Sequence, residues 1–345
     1  MAFIDKINTV VTKTILPDVT DNVFRNDPLL AYFRKNSVEP WQGGTTYQEN
    51  FLYGVYGGGA YTPGDTFDIT DRQIATGGTV NIRYYYVPVS AIYEKIKIEM
   101  AGPRAAFDHL DLQLQTAGLT MSARLANAIY RHGQNQGTDR TKELNGLDEA
   151  LSDGSNNGFL SQTYTSYLTL TRSTVDSALN SPMTGPAANV NGALSYPILE
   201  QAFQSVVIGP EKPDMMITSN AGFSYVRMVF QPQQRFEEVD PDYGFHTQKF
   251  NGCKIVASQY CPGTRTATTA DTTLGYSAVV GGETLWFLNT KYMRLYVSTD
   301  PLHSFGFTGF KVAQDSLVLA GQYCFGGNFT CQAPRLSRYL FGITG

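Results

Sequence analysis

The chain has 345 residues, a net charge of −4 and four cysteines, with only 16% of residues charged against 21 Tyr, 20 Phe and 33 Gly. This length holds a substantial core and up to two domains, and no run of Lys or Arg is dense enough for tight DNA binding by counterion release. No stretch reaches the roughly 18 consecutive apolar residues of a membrane span, and the first six residues lack the basic-then-apolar pattern of a secretory leader. The expectation is a soluble protein of a cytoplasm-like compartment with no membrane partner. Soluble domains typically carry about 25% charged residues, so less of this surface is built to face water. Tyr is enriched at protein interfaces, which favours burial between subunits; a β-rich monomer accounts for the composition equally well.

Taken in order, residues 1–37 mix short apolar runs with Pro17, Asp18 and Pro28, and read as an arm in which Leu29–Phe33 forms one or two helical turns. From Trp41 to Thr79 glycines 43, 44, 54, 57, 58, 59, 64, 77 and 78 punctuate Tyr47, Phe51, Tyr53, Tyr56, Tyr61 and Phe67. With so few branched aliphatics this stretch cannot make a core of its own. It reads as an extended two-stranded excursion whose aromatics need a partner surface. Val80–Val89 alternates as a strand, and Pro88 places it at an edge or a bulge.

The longest regular signal follows. Phe107, Leu110, Leu114, Ala117, Met121, Leu125 and Ala128 step by three or four, which puts them on one stripe of a helix running from Gly102-Pro103 to His132-Gly133. Pro103 suits the first turn, Arg131 and His132 the last, and Gly133 the left-handed stop. Gly118 costs about 1 kcal/mol relative to Ala, which predicts close packing or a bend there. Asn145–Leu151 is a short amphipathic turn, 152–158 a loop, and 161–191 an exposed polar insertion with one strand at Thr163–Leu170. A helix from Tyr196 to about Ile208, a buried strand at Pro213–Asn220, a helix from Ala221 to about Phe230 and strands in 245–257 and 277–298 make an α+β unit. Leu295–Gly345 is almost all strand, with a hairpin turn at Gly326-Gly327.

Most candidate chemistry fails on its own terms. Gly54–Gly59 lacks the helix, the Lys-Ser/Thr and the downstream acid of a phosphate loop. Asp153–Gly158 opens like a calcium loop, but the twelfth position is Tyr164 where a bidentate Glu is needed. His109 and His132 are too far apart to share a metal, and His246 and His303 have no neighbouring acid at ligand spacing. No Gly-x-Ser-x-Gly occurs. Glu237–Asp242 is the remaining cation candidate, against the plainer reading of a solvated loop touching a neighbour's basic residue. Cys253 and Cys261, and Cys324 and Cys331, do not match paired CxxC spacing and read as buried free thiols. No catalytic residue, cofactor or metal is assigned, and the expectation is a protein that is not an enzyme.

The order of features carries more than any motif. The arm, the Gly- and aromatic-rich loop, the strand leading into Glu99-Met100-Ala101-Gly102-Pro103 and the long helix ending in Ala126-Asn127-Ala128-Ile129-Tyr130 resemble a tailed-phage major capsid protein of the Hong Kong 97 type. Asn145–Ala150 resembles the "GL" segment of such proteins, Pro213–Ser219 their axial-domain strand, and Asn251–Val256 with Trp286–Tyr292 their late axial strands. The resemblance implies an α+β fold with an N-terminal arm (1–37), an extended loop (38–79), a peripheral domain with a spine helix (80–137), an axial domain (138–293) and peripheral C-terminal strands (294–345). It further implies that Phe107, Leu110, Leu114, Met121 and Leu125 pack the spine helix, and that Tyr47, Phe51, Tyr53, Tyr56, Tyr61 and Phe67 lie across a neighbouring subunit.

The implied function is the icosahedral head shell that encloses a phage's double-stranded DNA without sequence-specific binding. The implied partners are copies of the same chain in hexamers and pentamers, with scaffolding, portal and decoration proteins, assembled in the host cytoplasm and retained in the virion. Some members harden their shells through a loop Lys bonded to an Asn of a neighbour. Here no Lys lies between Lys35 and Lys95, so that link is excluded from this loop. A bacterial encapsulin-type compartment of the same fold is the alternative. A β-rich hydrolase or binding module, which needs convergent acids, bases or Trp in a pocket, is the alternative from a different class.

Overall fold

The computed structural model describes residues 27–67, 69–94, 103–131, 142–173, 175, 179–183, 188–230, 238–239, 246–266, 281–312 and 317–345, with side chains of the long helix described from residue 110. The expectations for residues 1–26, Gly133, His132, the side chains of Phe107, His109 and His246, and the carboxylates of Glu237–Asp242 lie outside the described residues.

Helix α1 (Pro28–Asn36) leads into β1 (Val38–Trp41), the hairpin of β2 (Thr46–Leu52) and β3 (Ala75–Asn81), then β4 (Arg83–Ile92) and the 28-residue α2 (Pro103–Tyr130). The short α3 (Leu147–Ala150) is followed by β5 (Ser166–Tyr167), β6 (Leu170–Thr171), β7 (Asn189–Ala193), α4 (Tyr196–Gln204), β8 (Met215–Thr218) and α5 (Asn220–Phe230). Strands β9 (Glu238–Val239), β10 (His246–Phe250), β11 (Cys253–Ala257), β12 (Glu283–Leu288), β13 (Met293–Ser298), β14 (Gly306–Phe307), β15 (Lys311–Val312), β16 (Val318–Cys331) and β17 (Arg338–Thr344) come last.

The first sheet is built on β16. Its residues Val318–Gly327 pair with β4, and Gly327–Cys331 pair with β13, which in turn carries β1. The expected turn at Gly326-Gly327 is therefore absent: both glycines lie inside one long strand, where it changes partner. A Cβ on Gly327 would fall 2.2 Å from the Tyr296 carbonyl oxygen, so glycine serves close backbone approach here and not chain reversal. Strand β4 pairs only with β16 among the described residues, which leaves Pro88 on an edge as expected. Helix α2 lies across β4 and β16, and Val87, Val89, Ala117, Met121 and Leu125 share one core.

The second sheet runs β7-β17-β12-β8-β11-β10-β9. Every residue of β8 and β12 is buried, because both faces of the sheet are covered. Met216, Leu285 and Phe287 pack with Leu199, Phe203, Val226 and Phe230 of α4 and α5, while Ile217, Trp286 and Leu288 join the core of the first sheet. Covering on both sides is what makes these strands continuous apolar runs. Of the strands in the C-terminal part, β13 and β16 lie in the first sheet, whereas β17 inserts between β7 and β12 of the second. Its run Tyr339-Leu340-Phe341 is apolar on both faces, and such a run does not name a partner strand.

Trp286 joins the two halves: its ring centroid is 6.0 Å from that of Tyr130 at the end of α2, 5.6 Å from Phe159 and 4.3 Å from Tyr339. Helix α2 starts at Pro103 as expected but ends at Tyr130, so Arg131 lies beyond it and is buried. The chain closes over that end. A Cβ on Gly146 would sit 1.3 Å from the Arg131 carbonyl oxygen and 2.8 Å from that of Ala128. At Gly118 the expected tight contact is missing, since a Cβ there would meet only the Tyr323 ring at 3.8 Å.

Among the described residues of 161–191 the chain is not an exposed insertion. Tyr164, Tyr167, Leu168, Val175, Leu179 and Met183 are buried, and the buried Arg172 guanidinium donates to the carbonyls of Leu179, Glu149 and Ala150. Helix α3 is likewise buried throughout and not amphipathic. Its Asp148 accepts from Tyr164 (2.9 Å) and Tyr339 (2.8 Å), and burial pushes that carboxyl up to about 7. The polar pattern misleads because the Arg172 terminal nitrogens and the Asp148 oxygens find their partners within the chain. Residues 27–36 pack on their own chain through Leu29, Leu30 and Phe33. The capping Asp27 accepts from Leu30 N–H at 2.9 Å and from the Ser258 hydroxyl. All four cysteines are free and buried. His303 does have an acid beside it, with Nδ1 2.6 Å from Asp300, but no group of three metal-ligating side chains occurs among the described residues. No described helix is long and apolar enough to cross a membrane.

Candidate assembly surface

The β2–β3 hairpin is the two-stranded excursion the glycines predicted, registered from Thr46↔Asn81 to Leu52↔Ala75. Beyond Leu52 the chain leaves the ladder: Tyr53 and Gly54 N–H both donate to the Ile74 carbonyl at 3.0 Å. Gly57 then lies against Arg72, where a Cβ would come within 3.1 Å of the guanidinium. The tip is a turn at Thr62-Pro63-Gly64-Asp65, closed by Asp65 N–H to the Thr62 carbonyl at 3.0 Å, with Gly64 at φ 105°. Pro followed by a left-handed Gly is the sequence chemistry of that turn. Tyr61 and Phe67 flank it with their rings edge-on at 5.0 Å. The tip is thus locally ordered without a core beneath it.

The six aromatics separate into two groups. Tyr56, Tyr61 and Phe67 are each about two-thirds exposed, on the part of the hairpin that touches little else. Phe51 is only 5% exposed and belongs to the chain's own core, Tyr53 is half-buried against that core, and Tyr47 leans on Tyr296 with centroids 4.4 Å apart. Alternation along β2 puts Tyr47, Glu49 and Phe51 on the face turned to the core and Leu52 on the opposite one; Tyr47, near the open end of that face, keeps part of its ring exposed. Leu52, Val55 and Ile69 were missed by a reading that looked for aromatic rings, yet Val55 is 83% and Ile69 92% exposed. Tyr84 and Tyr86 on the free-edged β4 are also exposed. Of the spine-helix residues, Met121 and Leu125 are fully buried, and Leu110 and Leu114 are half-buried.

At the root the hairpin is held hard. Glu49 is buried with Oε1 accepting from the Tyr296 hydroxyl (2.5 Å) and Thr330 Oγ1 (3.1 Å), and Oε2 accepting from Gln332 Nε2 (2.8 Å). Burial, then the bond to Glu49, drives the Tyr296 hydroxyl well above the ordinary tyrosine range. Trp41 and Trp286 are both buried, so neither offers the exposed ring platform a binding module would use.

No protein-family model and no curated protein matches the sequence. Solved structures do. The cyanophage A-1(L) capsid asymmetric unit is similar at TM-score 0.69 and 12% identity, covering 96% of this chain and 97% of that one. The head structure of Helicobacter pylori bacteriophage KHP40 is similar at 0.57 and 8%, over 95% and 94%. The SrpI encapsulin complex of Synechococcus elongatus is similar at 0.54 and 9%, over 94% and 92%. Identities this low speak to architecture alone, and the architecture, across nearly the whole chain, is the Hong Kong 97-type shell fold.

Proposed function

We propose that the chain is a major capsid protein that self-assembles, through hexamers and pentamers, into the icosahedral head shell enclosing the double-stranded DNA of a tailed bacteriophage. One observation carries this reading: the hairpin presents Val55, Tyr56, Tyr61, Phe67 and Ile69 to solvent on a shell fold. Exposed apolar side chains grouped this way mark an interaction surface, and a second copy is the partner a closed shell supplies. The role is structural and not catalytic. Scaffolding, portal and decoration proteins are further partners, with assembly in the host cytoplasm and a final place in the virion.

Negative-stain microscopy of the expressed protein tests this. Closed shells or ring-shaped capsomers are expected, and a uniform monomer at assembly concentrations overturns the reading. The similarity to an encapsulin supports the second reading, a protein compartment around protein cargo. Nuclease-protected DNA in purified particles separates the two. Because the hairpin has no Lys, particles boiled in SDS without reductant should release one band near 38.0 kDa; a ladder would reveal a covalent link elsewhere.

A further inference from the structure

The hairpin is bare at its tip and clamped at its root, on both strands and by different means. On β2, Glu49 enters the core with no Arg or Lys among its hydrogen-bond partners here; three neutral donors from β13, β16 and Gln332 take its two oxygens. A buried carboxyl group held this way is costly to move, because any swing of the hairpin leaves its oxygens and their three donors without partners. Opposite Glu49 in the ladder is Gly78, where a Cβ would come within 2.9 Å of Leu168 Cβ and 3.1 Å of the Phe51 ring. The next residue, Thr79, donates its N–H to the Leu168 carbonyl at 2.9 Å, and its hydroxyl meets that of Thr169 at 2.9 Å. Leu168 and Thr169 make the turn between β5 and β6 with φ of 49° and 66°, a left-handed conformation that β-branched and bulky residues avoid. Asn-Gly would make that turn without strain. The residues present instead give a buried Leu168 side chain and a hydroxyl aimed at β3.

The geometry points to a two-sided clamp, Glu49 on β2 and the Leu168–Thr169 turn on β3, that sets the direction of the hairpin in the free subunit and so pre-orients its tip for the neighbouring copy. This rests on the shell reading for its purpose, but not for its existence. Glu49 is then a positioning residue: it touches no neighbour itself, and orienting the tip beforehand lowers the ordering cost of each contact.

Hydrogen exchange on isolated subunits tests the clamp. In Glu49→Ala, amides of residues 46–52 and 75–81 should exchange at least about tenfold faster than wild type while the second sheet is unchanged, and shell yield should fall in parallel. Glu49→Gln combined with Gln332→Glu exchanges donor and acceptor across one contact and should restore much of the protection. Exchange in those strands that matches wild type, or that rises equally throughout the chain, overturns the clamp. If Glu49→Ala does not fold, Tyr296→Phe removes a single donor and should give a smaller rise in the same two strands; no rise there also overturns it. Wild-type subunits that never form shells would remove the shell reading alone, since the exchange result stands on free subunits.

Discussion

The last turns of α2 and the tip of the β2–β3 hairpin are both rich in apolar side chains, and they meet opposite fates. From Ala123 to Arg131 nearly every side chain is buried by the chain itself, including Asn127 and Arg131, whereas Val55, Tyr56, Tyr61, Phe67 and Ile69 stand in solvent. Hydrophobic content therefore does not decide burial; what decides it is whether the chain can close around the segment. At the helix end it can, because Gly146 brings the backbone against the Arg131 and Ala128 carbonyls. At the tip the Pro63-Gly64 turn reverses the chain away from any such cover.

Breaking the closure gives the largest expected effect on the free subunit. Gly146→Ala drives a methyl into backbone that cannot retreat, and should cost about 3 kcal/mol or more; a urea midpoint equal to wild type would show that the helix end is not sealed there. Next is a pH dependence centred on α3. Burial raises the Asp148 carboxyl from 3.8 to about 7, and Glu149 is also raised to about 7. The folded chain holds protons that the unfolded chain has released, so stability falls as pH rises from about 4 to about 7 and levels off above that. Thermal melts across that window should show the decline, and Asp148→Asn should flatten part of it; an unchanged slope would mean that Asp148 is ionised throughout.

Gly118→Ala follows, with the opposite sign. The site is open, so the gain in helix propensity should stabilise by about 0.5–1 kcal/mol, and a loss of stability would restore the close packing the structure lacks. The smallest effect on the free subunit sharpens the comparison most. Tyr56, Tyr61 and Phe67 changed together to Ser should shift its stability by no more than about 0.5 kcal/mol, yet abolish shells by electron microscopy. A large loss of stability would mean the tip already folds onto its own chain.

What the sequence made legible was local. The start of α2 at Pro103, the Asn220 boundary between β8 and α5, and the hairpin with its aromatics all follow from spacing and turn chemistry. What stayed hidden depended on distant partners. Nothing near Arg172 or Asp148 announces that carbonyls and tyrosines far along the chain will satisfy them, so a polar stretch read as surface. Gly326-Gly327 carries the composition of a turn, but its backbone is crowded by Tyr296, a residue no local window contains. Nothing in the local sequence marks Glu49 either, since its three donors come from sequence positions 296, 330 and 332.

The place of β17 bears on timing. It lies between β7 and β12, so during synthesis β7 lacks the strand it pairs with among the described residues, and the edge of β12 that receives β17 stays open, until residues 338–344 have left the ribosome. Pairing across so long a stretch is slow to form. A growing chain therefore cannot finish its second sheet early, even though its hairpin was made hundreds of residues before. Ribosome-bound chains stalled before Arg338 should stay open to proteolysis around residues 189–193, and protection there would show that the sheet closes without its last strand. Late closure of this kind makes the second sheet depend on residues synthesised about 150 positions after its first strand.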